Sequence, residues 1–282
     1  MFPSSFSYHR AGSVAEAVSL LAANPDAKIL AGGHSLIPAM KLRLAAPESL
    51  VDIGRIAELR GIAVADEAHI GATATYDAIR SHAQLRDAFP ILVEAINVVG
   101  DQQVRARGTL GGSLAHADPA ADLTAVFLAL NGRIRATSPS GEREIAADDL
   151  FVDLWTTSLE PNEVVTEVIL PLPAAGTRMA YEKHAHPASG YAVVGVAVAL
   201  AVEDGVVANP RIVITGATSK PTRASAAEAA LAGKALDAES IGAAAAQAAV
   251  GLEINGDPYA SEAYRAHLIS VLVRRALERM AS

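Results

Sequence analysis

Two short segments of this 282-residue chain combine paired glycines with hydroxyl side chains. The first glycine segment is AGGHS at residues 31–35, and the second glycine segment is TLGGS at residues 109–113. Each follows an apolar stretch and precedes a helical pattern, which predicts free backbone N–H groups where a strand gives way to a helix. Because glycine lacks a Cβ, an anion can approach such groups closely. Together the two segments predict one site for a ligand that carries more than one phosphate.

The familiar nucleotide motifs are missing from the chain. No stretch matches G-x-G-x-x-G, and the GK pair at residues 233–234 is followed by Ala235 where a P-loop requires Ser or Thr. A single Gly-Gly pair is most often a plain structural turn. The occurrence of two such pairs, with hydroxyls at Ser35, Thr109 and Ser113 that can bond phosphate oxygens, favours a different kind of phosphate site.

Composition excludes several classes of function. The net charge of −8 argues against nucleic acid as a partner. The chain has no cysteine, so it contains no disulfide, no thiolate zinc or iron–sulfur site and no thiol nucleophile. No apolar run reaches the ~20 residues that a membrane span needs, and the first residues lack a secretion signal. We therefore expect a cytoplasmic protein without a transmembrane segment, in which an organic cofactor carries any electrons.

The remaining polar residues favour neither a catalytic nor a metal site. No Ser/His/Asp triad or carboxylate pair is apparent. His184 and His186 have metal-ligand spacing, but no third ligand accompanies them, so we expect two exposed histidines. Arg105 and Arg107 alternate just before the second glycine segment. One guanidinium could lie near a phosphate or an interdomain carboxylate, or both could be exposed strand-edge charges, and we favour a structural ion pair.

The sequence leaves the environment of two histidines and of the tryptophan undecided. His34 lies inside the first glycine segment and His116 follows the second, so either could contact a phosphate or face solvent from a turn. Trp155 is the single tryptophan, and it belongs either to the core or to a contact between subunits.

Hydrophobic periodicity predicts a mixture of strands and helices along the whole chain. The Asp-Pro pair at residues 118–119 predicts the N-terminus of a helix that continues to about Leu130. Later, two apolar strands flank the Asp-Gly pair at residues 204–205, which is a strong hairpin signal. Alanine-rich helices follow, and a long amphipathic helix begins at about Ser261.

Three stretches of the sequence resemble a known family. Residues 31–43 (AGGHSLIPAMKLR) are similar to the first FAD-binding loop of the medium, flavin-carrying subunit of molybdenum hydroxylases, which include aerobic carbon monoxide dehydrogenase and the xanthine dehydrogenase group. Residues 103–113 (QVRARGTLGGS) resemble the second loop, and residues 118–122 (DPAAD) resemble its continuation. Residues 181–183 (YEK) resemble the entry to the C-terminal domain. The likeness covers essentially the whole chain in the same order.

The resemblance implies an α+β fold: a two-lobed FAD-binding fold of the vanillyl-alcohol oxidase type, followed by a C-terminal domain with an antiparallel sheet and helices. The expected domains are an N-terminal FAD-binding lobe at 1–57, a second FAD-binding lobe at 58–175 and a C-terminal α+β domain at 176–282. The implied FAD contacts are Leu30, Ala31, Gly32, Gly33, His34, Ser35, Leu36, Ile37, Thr109, Gly112, Ser113, Asp122, Val165, Lys183 and Tyr191.

These contacts have different implied roles around the pyrophosphate. The backbone of residues 30–37 surrounds it, and Thr109, Gly112 and Ser113 close the site from the other lobe. Val165 supplies an apolar contact to the cofactor.

Three further residues are implied to contact the remainder of FAD. Asp122 hydrogen-bonds the sugar-alcohol part, Tyr191 lies near the ring, and Lys183 lies close to the flavin, where a cation stabilises the reduced ring. From the residues alone other interpretations stay open. The helix dipole favours an acidic residue in a first turn with or without a ligand, and Lys183 beside Glu182 fits a solvated lysine equally well.

The resemblance implies an electron-transfer role with no catalytic residue for substrate chemistry. In the family a large molybdopterin subunit oxidises the substrate, a small iron–sulfur subunit relays the electrons, and the FAD subunit delivers them to an external acceptor. The expected assembly is a dimer of heterotrimers. Residues 184–190 (HAHPASG) depart from the arginine-and-acid-rich stretch of xanthine dehydrogenases, which puts NAD as the acceptor in doubt and favours the carbon monoxide dehydrogenase branch.

Two alternatives remain at this point. The chain could be a free-standing FAD oxidoreductase of the same fold that binds its own substrate. It could also be a non-enzymatic module that binds a nucleotide or scaffolds partners.

Overall fold

The computed structural model describes residues 1–281, and their strands form four sheets. The first sheet has three parallel strands in the order β1-β3-β2. Helix α1 begins where the Ser13 side chain accepts a hydrogen bond from the Glu16 amide, and it buries one apolar face against this sheet. The elements are β1 (Ser7–Arg10), α1 (Val14–Ala23), β2 (Ala27–Leu30), α2 (Leu36–Lys41) and β3 (Ser49–Asp52).

The second sheet has five antiparallel strands in the order β4-β5-β10-β6-β7, and a two-stranded hairpin, β8-β9, lies beside it. A 3-10 turn at Ala57–Leu59 precedes this unit. Its strands are β4 (Ile62–Val64), β5 (Glu67–Gly71), β6 (Arg133–Ser138), β7 (Gly141–Ala146), β8 (Phe151–Asp153), β9 (Thr156–Thr157) and β10 (Val164–Pro171). Its helices are α3 (Tyr76–Ser81), α4 (Ala83–Ala88), α5 (Pro90–Asn97), α6 (Gln102–Arg107), α7 (Leu110–His116), α8 (Asp122–Ala129) and α9 (Ala147–Leu150).

The third sheet is antiparallel in the order β11-β12-β13-β14 and is covered by the last helices. Asp204 and Gly205 turn the chain between its two longest strands with φ values of 50° and 82°, which confirms the predicted hairpin. The long C-terminal amphipathic helix is also confirmed. The elements are β11 (Thr177–Ala185), β12 (Ala192–Glu203), β13 (Val206–Thr215), β14 (Thr222–Arg223), α10 (Ser225–Leu231), α11 (Ala238–Gln247) and α12 (Glu262–Ala281).

Helix α8 occupies the centre of the molecule, and all eight of its residues are buried. The predicted start of this helix was wrong: the helix begins at Asp122 and not at the Asp-Pro pair of residues 118–119. The Asp118 side chain instead accepts a hydrogen bond from the Ala120 amide at 2.9 Å, and this local turn precedes the helix. An aspartate with a nearby proline is therefore compatible with either structure.

The mixed strands and helices confirm the expected α+β class, while the domain limits at 57 and 175 stay a prediction. Among residues 1–281, each helix is too short or too polar to cross a bilayer.

Candidate functional site

The two glycine segments lie side by side in the folded chain. A Cβ on Gly32 would stand 2.0 Å from the carbonyl oxygen of Arg107, two residues before the second glycine segment, so the backbones are almost in contact there. A Cβ on Gly112 would stand 4.0 Å from the Cβ of Ala31. The fold therefore joins two parts of the chain that are remote in sequence, as a shared ligand site requires.

The first glycine segment connects β2 to α2 and offers free hydrogen-bond donors. Gly33 has φ of +78°, a conformation that only glycine adopts readily. Helix bonding begins when the Ile37 amide donates to the Gly33 carbonyl at 3.0 Å. Ser35 makes no side-chain cap, and within residues 1–281 the amides of residues 32–36 donate to no protein acceptor. These outward amides fit a phosphate group.

The second glycine segment differs from the first. The expectation of a loop after a strand is wrong here, because its glycines lie in the first turn of α7, which follows α6. The Thr109 hydroxyl accepts a hydrogen bond from the Gly112 amide at 3.3 Å. The amides of Leu110 and Gly111 donate to carbonyls of the segment that joins β5 to α3. This segment therefore offers hydroxyls and a small backbone surface, but few free amides.

Two tyrosines connect the hydroxyls of both glycine segments to one cluster. Burial raises the pKa of Tyr76 to about 12, and the nearby polar side chain of Ser113 opposes that rise. Tyr191 is 46% exposed. Burial and two nearby carboxylates raise the pKa of Tyr191, and a hydrogen bond with Ser35 lowers it. Ser35, Ser113 and Tyr191 therefore belong to the same region.

Asp122 and Lys183 form a buried ion pair at this site. Lys183 Nζ lies 2.9 Å from Asp122 Oδ1, and the two side chains are 4% and 6% exposed. The Tyr181 hydroxyl donates to Asp122 Oδ1 at 2.6 Å, and Lys183 Nζ also donates to the Val98 carbonyl at 3.0 Å. Burial raises the pKa of Asp122, and Lys183 opposes this effect. The pair joins the first turn of α8 to strand β11.

Val165 lies in β10 and is buried in the apolar core of the second sheet's unit. Its contact with FAD, like the contacts of the other implied residues, stays a prediction.

The arginines before the second glycine segment were predicted wrongly. They lie on helix α6 and not on a strand edge. Arg105 Nη1 donates to the carbonyls of Val99 at 2.9 Å and Gly100 at 3.3 Å, and no ion pair involves Arg105 within residues 1–281. The guanidinium therefore holds the loop before α6, a role for which the sequence carries no local signal.

The ring side chains near the site take up different environments. His34 is exposed. His116 stacks on Trp155 with ring centroids 4.8 Å apart, and burial lowers the pKa of His116 while Asp118 opposes that shift. Trp155 is 50% exposed, which excludes it from the core. His184 and His186 each contact a tyrosine ring, and no group of three or more potential metal ligands occurs in the described part of the chain.

Sequence reasoning missed Tyr76 as a member of this site. A Cβ on Gly108 would stand 2.5 Å from its ring, so the ring fills the space beside the second glycine segment. Gly108 was the available signal in the sequence, because a glycine often marks a place where another group packs closely against the backbone.

Comparisons with known proteins show the family to which the chain belongs. Residues 4–173 match the family described as the FAD binding domain in molybdopterin dehydrogenase, and residues 179–280 match the CO dehydrogenase flavoprotein C-terminal domain. The carbon monoxide dehydrogenase medium chain of Hydrogenophaga pseudoflava is 39% identical over 98% of this chain and 97% of that protein. The glyceraldehyde dehydrogenase medium chain of Sulfolobus acidocaldarius is 34% identical over the full length of both chains.

A solved structure shares the entire fold. It is a carbon monoxide dehydrogenase from Hydrogenophaga pseudoflava that lacks the Mo-pyranopterin moiety of the molybdenum cofactor, and one of its chains superimposes with a TM-score of 0.95. The sequence identity is 42%, and the match covers 99% of this chain and 98% of that one. With its two matched domains and adjacent glycine segments, the chain belongs to the FAD-binding family of the molybdopterin dehydrogenases, as a flavoprotein of the CO dehydrogenase medium-chain type.

Proposed function

We propose that this chain is the electron-transfer subunit of a heterotrimeric molybdenum hydroxylase of the aerobic carbon monoxide dehydrogenase type. When bound, FAD would supply the redox chemistry, and this chain would hold it between the iron–sulfur clusters of a small subunit, which would donate electrons, and an external acceptor. A large molybdopterin subunit oxidises the substrate, and two heterotrimers assemble in the cytoplasm.

The observation that carries the proposal is the contact between the two glycine segments. Free amides of residues 32–36 bind the diphosphate, and the hydroxyls of Thr109 and Ser113 lie on the facing helix. Gly32 allows the backbone at Arg107 to approach closely, and Gly112 leaves the surface that faces Ala31 without a side chain. Among the remaining implied contacts, Asp122 on α8 and Lys183 on β11 hold other parts of the cofactor.

The composition supports the proposed division of labour. Because the chain has no cysteine, it cannot supply thiolate ligands to iron–sulfur clusters. Those clusters therefore belong to a partner in this proposal. The relatives include medium chains of carbon monoxide and of glyceraldehyde dehydrogenases, so the substrate is set by another subunit.

A Gly112→Ala substitution tests the FAD site. Its methyl group would stand 4.0 Å from the Ala31 Cβ and 2.6 Å from the Thr109 hydroxyl oxygen, so the Thr109 hydroxyl must move to make room for it. We expect FAD to bind roughly 5- to 150-fold more weakly, because overpacking costs roughly 1–3 kcal/mol. Titration of the full chain with FAD, followed by flavin fluorescence, measures the change.

Gly242→Ala is the matched control. Gly242 lies in helix α11 and is half-buried like Gly112, but its added Cβ would meet nothing closer than 4.0 Å. This variant should keep wild-type FAD affinity and gain about 1 kcal/mol of stability. Equal FAD affinity in Gly112→Ala and Gly242→Ala would show that the glycine segments do not bind the cofactor.

Purification from the native cell tests the assembly. We expect a cysteine-rich iron–sulfur protein and a large molybdopterin protein to copurify with the chain. A chain that purifies alone and oxidises a small molecule without iron–sulfur absorbance would instead establish the free-standing oxidoreductase.

A further inference from the structure

Arg265 is a buried cation in helix α12, far from the glycine segments in sequence. The residue as a whole is 7% exposed, and its side chain forms a salt bridge with Asp257. Three further hydrogen bonds go to backbone oxygens: Nε donates to the Ala260 carbonyl at 3.4 Å, and Nη1 donates to the carbonyls of Val193 and Gly216. A guanidinium is suited to this task, because its planar fork directs several donors at once.

The Val193 carbonyl belongs to the segment that carries Tyr191. Val193 lies two residues after Tyr191, at the start of strand β12, and its carbonyl accepts from Arg265 at 3.1 Å. The carbonyl of Tyr191 itself accepts a hydrogen bond from the His186 amide at 2.8 Å. The backbone at Tyr191 is therefore bound to His186 and, two residues further on, to Arg265.

The second carbonyl leads to Asp122. The Gly216 amide donates to the Pro119 carbonyl at 2.7 Å. Next to it, the Thr215 hydroxyl donates to Pro119 at 2.7 Å and to Ala121 at 3.0 Å. Ala121 directly precedes Asp122, so the end of β13 holds the N-terminus of α8.

Asp257, the salt-bridge partner of Arg265, belongs to a loop that also contacts His186. Its Oδ1 accepts hydrogen bonds from the amides of Tyr259 at 2.9 Å and Ala260 at 2.8 Å. The Tyr259 ring packs on the His186 ring with centroids 4.3 Å apart. The loop before α12 therefore supports His186 while its carboxylate binds Arg265.

We propose that Arg265 is a positioning residue for the FAD site: through Val193 and Gly216 it sets where the segments that carry Tyr191 and Asp122 lie. This inference rests on the proposed function, because it assumes that these two segments contact FAD. Arg265 itself does not touch the cofactor, and Asp257 orients it.

Hydrogen exchange of the full chain without added FAD tests the positioning directly. Arg265→Lys keeps the charge opposite Asp257 but cannot reach both carbonyls, and Asp257→Asn is a milder variant that removes the charge on the partner. We expect amides of residues 186–194 and 216–219 to exchange about tenfold faster in both variants, with the first sheet unchanged. Arg275→Lys, an exposed arginine of the same helix, is the control and should match the wild type.

Two exchange results would overturn the proposal. Unchanged protection of both segments would show that Arg265 does not hold them. Faster exchange throughout the chain in both variants would show a general role in stability and not a local one.

A double-mutant cycle with Tyr191→Ala then tests the connection to FAD. Arg265→Lys should weaken FAD binding about tenfold in the wild-type background and much less in the Tyr191→Ala background, because the two residues act on the same contact. Equal losses in both backgrounds would contradict action through Tyr191. If the wild-type chain binds no FAD, the proposed function fails, and the exchange measurement still decides the role of Arg265.

Discussion

A buried carboxylate needs a partner, and at Asp122 the partner is Lys183. Each of the two Asp122 oxygens accepts a hydrogen bond, from Tyr181 or from Lys183. Taking both charges out of water is costly, so such a pair is weak evidence for added stability. Removing one member is a different matter, because the other charge then stays buried without compensation.

Lys183→Met should therefore destabilise the chain at neutral pH by about 3 to 5 kcal/mol. Burial already raises the pKa of Asp122 above 3.8, and the variant loses the cation that opposes this rise. A raised folded-state pKa means that stability is greatest at low pH and falls as Asp122 ionises. Urea denaturation at pH 5 and at pH 8 should show a larger loss at pH 8 relative to the wild type.

The double variant Asp122→Asn, Lys183→Met is the control for this interpretation. It removes both charges and should restore most of the stability and abolish the added pH dependence. A single variant with the same loss at both pH values would indicate that Asp122 is already ionised at pH 5 in the folded variant, as it is in the unfolded chain.

The flavin itself reports on the same lysine. If Lys183 lies close to bound FAD, Lys183→Met should lower the reduction potential, because a cation stabilises the charge of the reduced ring. Spectroelectrochemical titration of the variant that still retains flavin measures this. An unchanged potential would limit Lys183 to its pair with Asp122.

Among the elements, turns were predicted best and the second glycine segment worst. The hairpin between β12 and β13 depends on two adjacent residues with positive φ, which the Asp-Gly pair favours by itself. The start of α7 depends instead on contacts with the segment between β5 and α3, which takes up the amides of Leu110 and Gly111. No pattern within residues 109–113 indicates that contact.

Gly205→Ala isolates the backbone contribution of the hairpin turn. Gly205 has φ of +82° and an added Cβ would meet no atom within 4 Å, so only the left-handed conformation is penalised. We expect a loss of about 1 kcal/mol in the free energy of unfolding. Gly61→Ala is the control, since its Cβ also meets open space and its φ is ordinary. Equal stabilities of the two variants in thermal or urea unfolding would contradict this interpretation.

In the whole molecule, one apolar core joins the second and third sheets. Tyr181, Ala197 and Val213 of the third sheet pack in the same cluster as residues of α8 and β10. The first sheet has a separate cluster, which reaches β10 only through Val164. The apolar core therefore continues across the predicted domain limit at residue 175.

A fragment of residues 1–175 should consequently fail to fold by itself. Without the third sheet, helix α8 would expose apolar side chains that are buried in the full chain. We expect the fragment to aggregate or to lack near-ultraviolet circular dichroism, whereas the full chain shows both a cooperative transition and fixed tertiary signals. A fragment that unfolds cooperatively would show that the first two units form an independent domain.

By itself, the sequence determined the features that depend on neighbouring residues and composition. These include the Asp-Gly hairpin, the amphipathic C-terminal helix, the glycine segments and the absence of cysteine ligands. The tertiary structure decided which remote groups meet: Gly32 against the Arg107 carbonyl, Asp122 against Lys183, and Arg265 against two strands. The physical reason is that backbone preferences act within a few residues, whereas a buried charge is satisfied by whichever groups the packing of helices on sheets brings beside it.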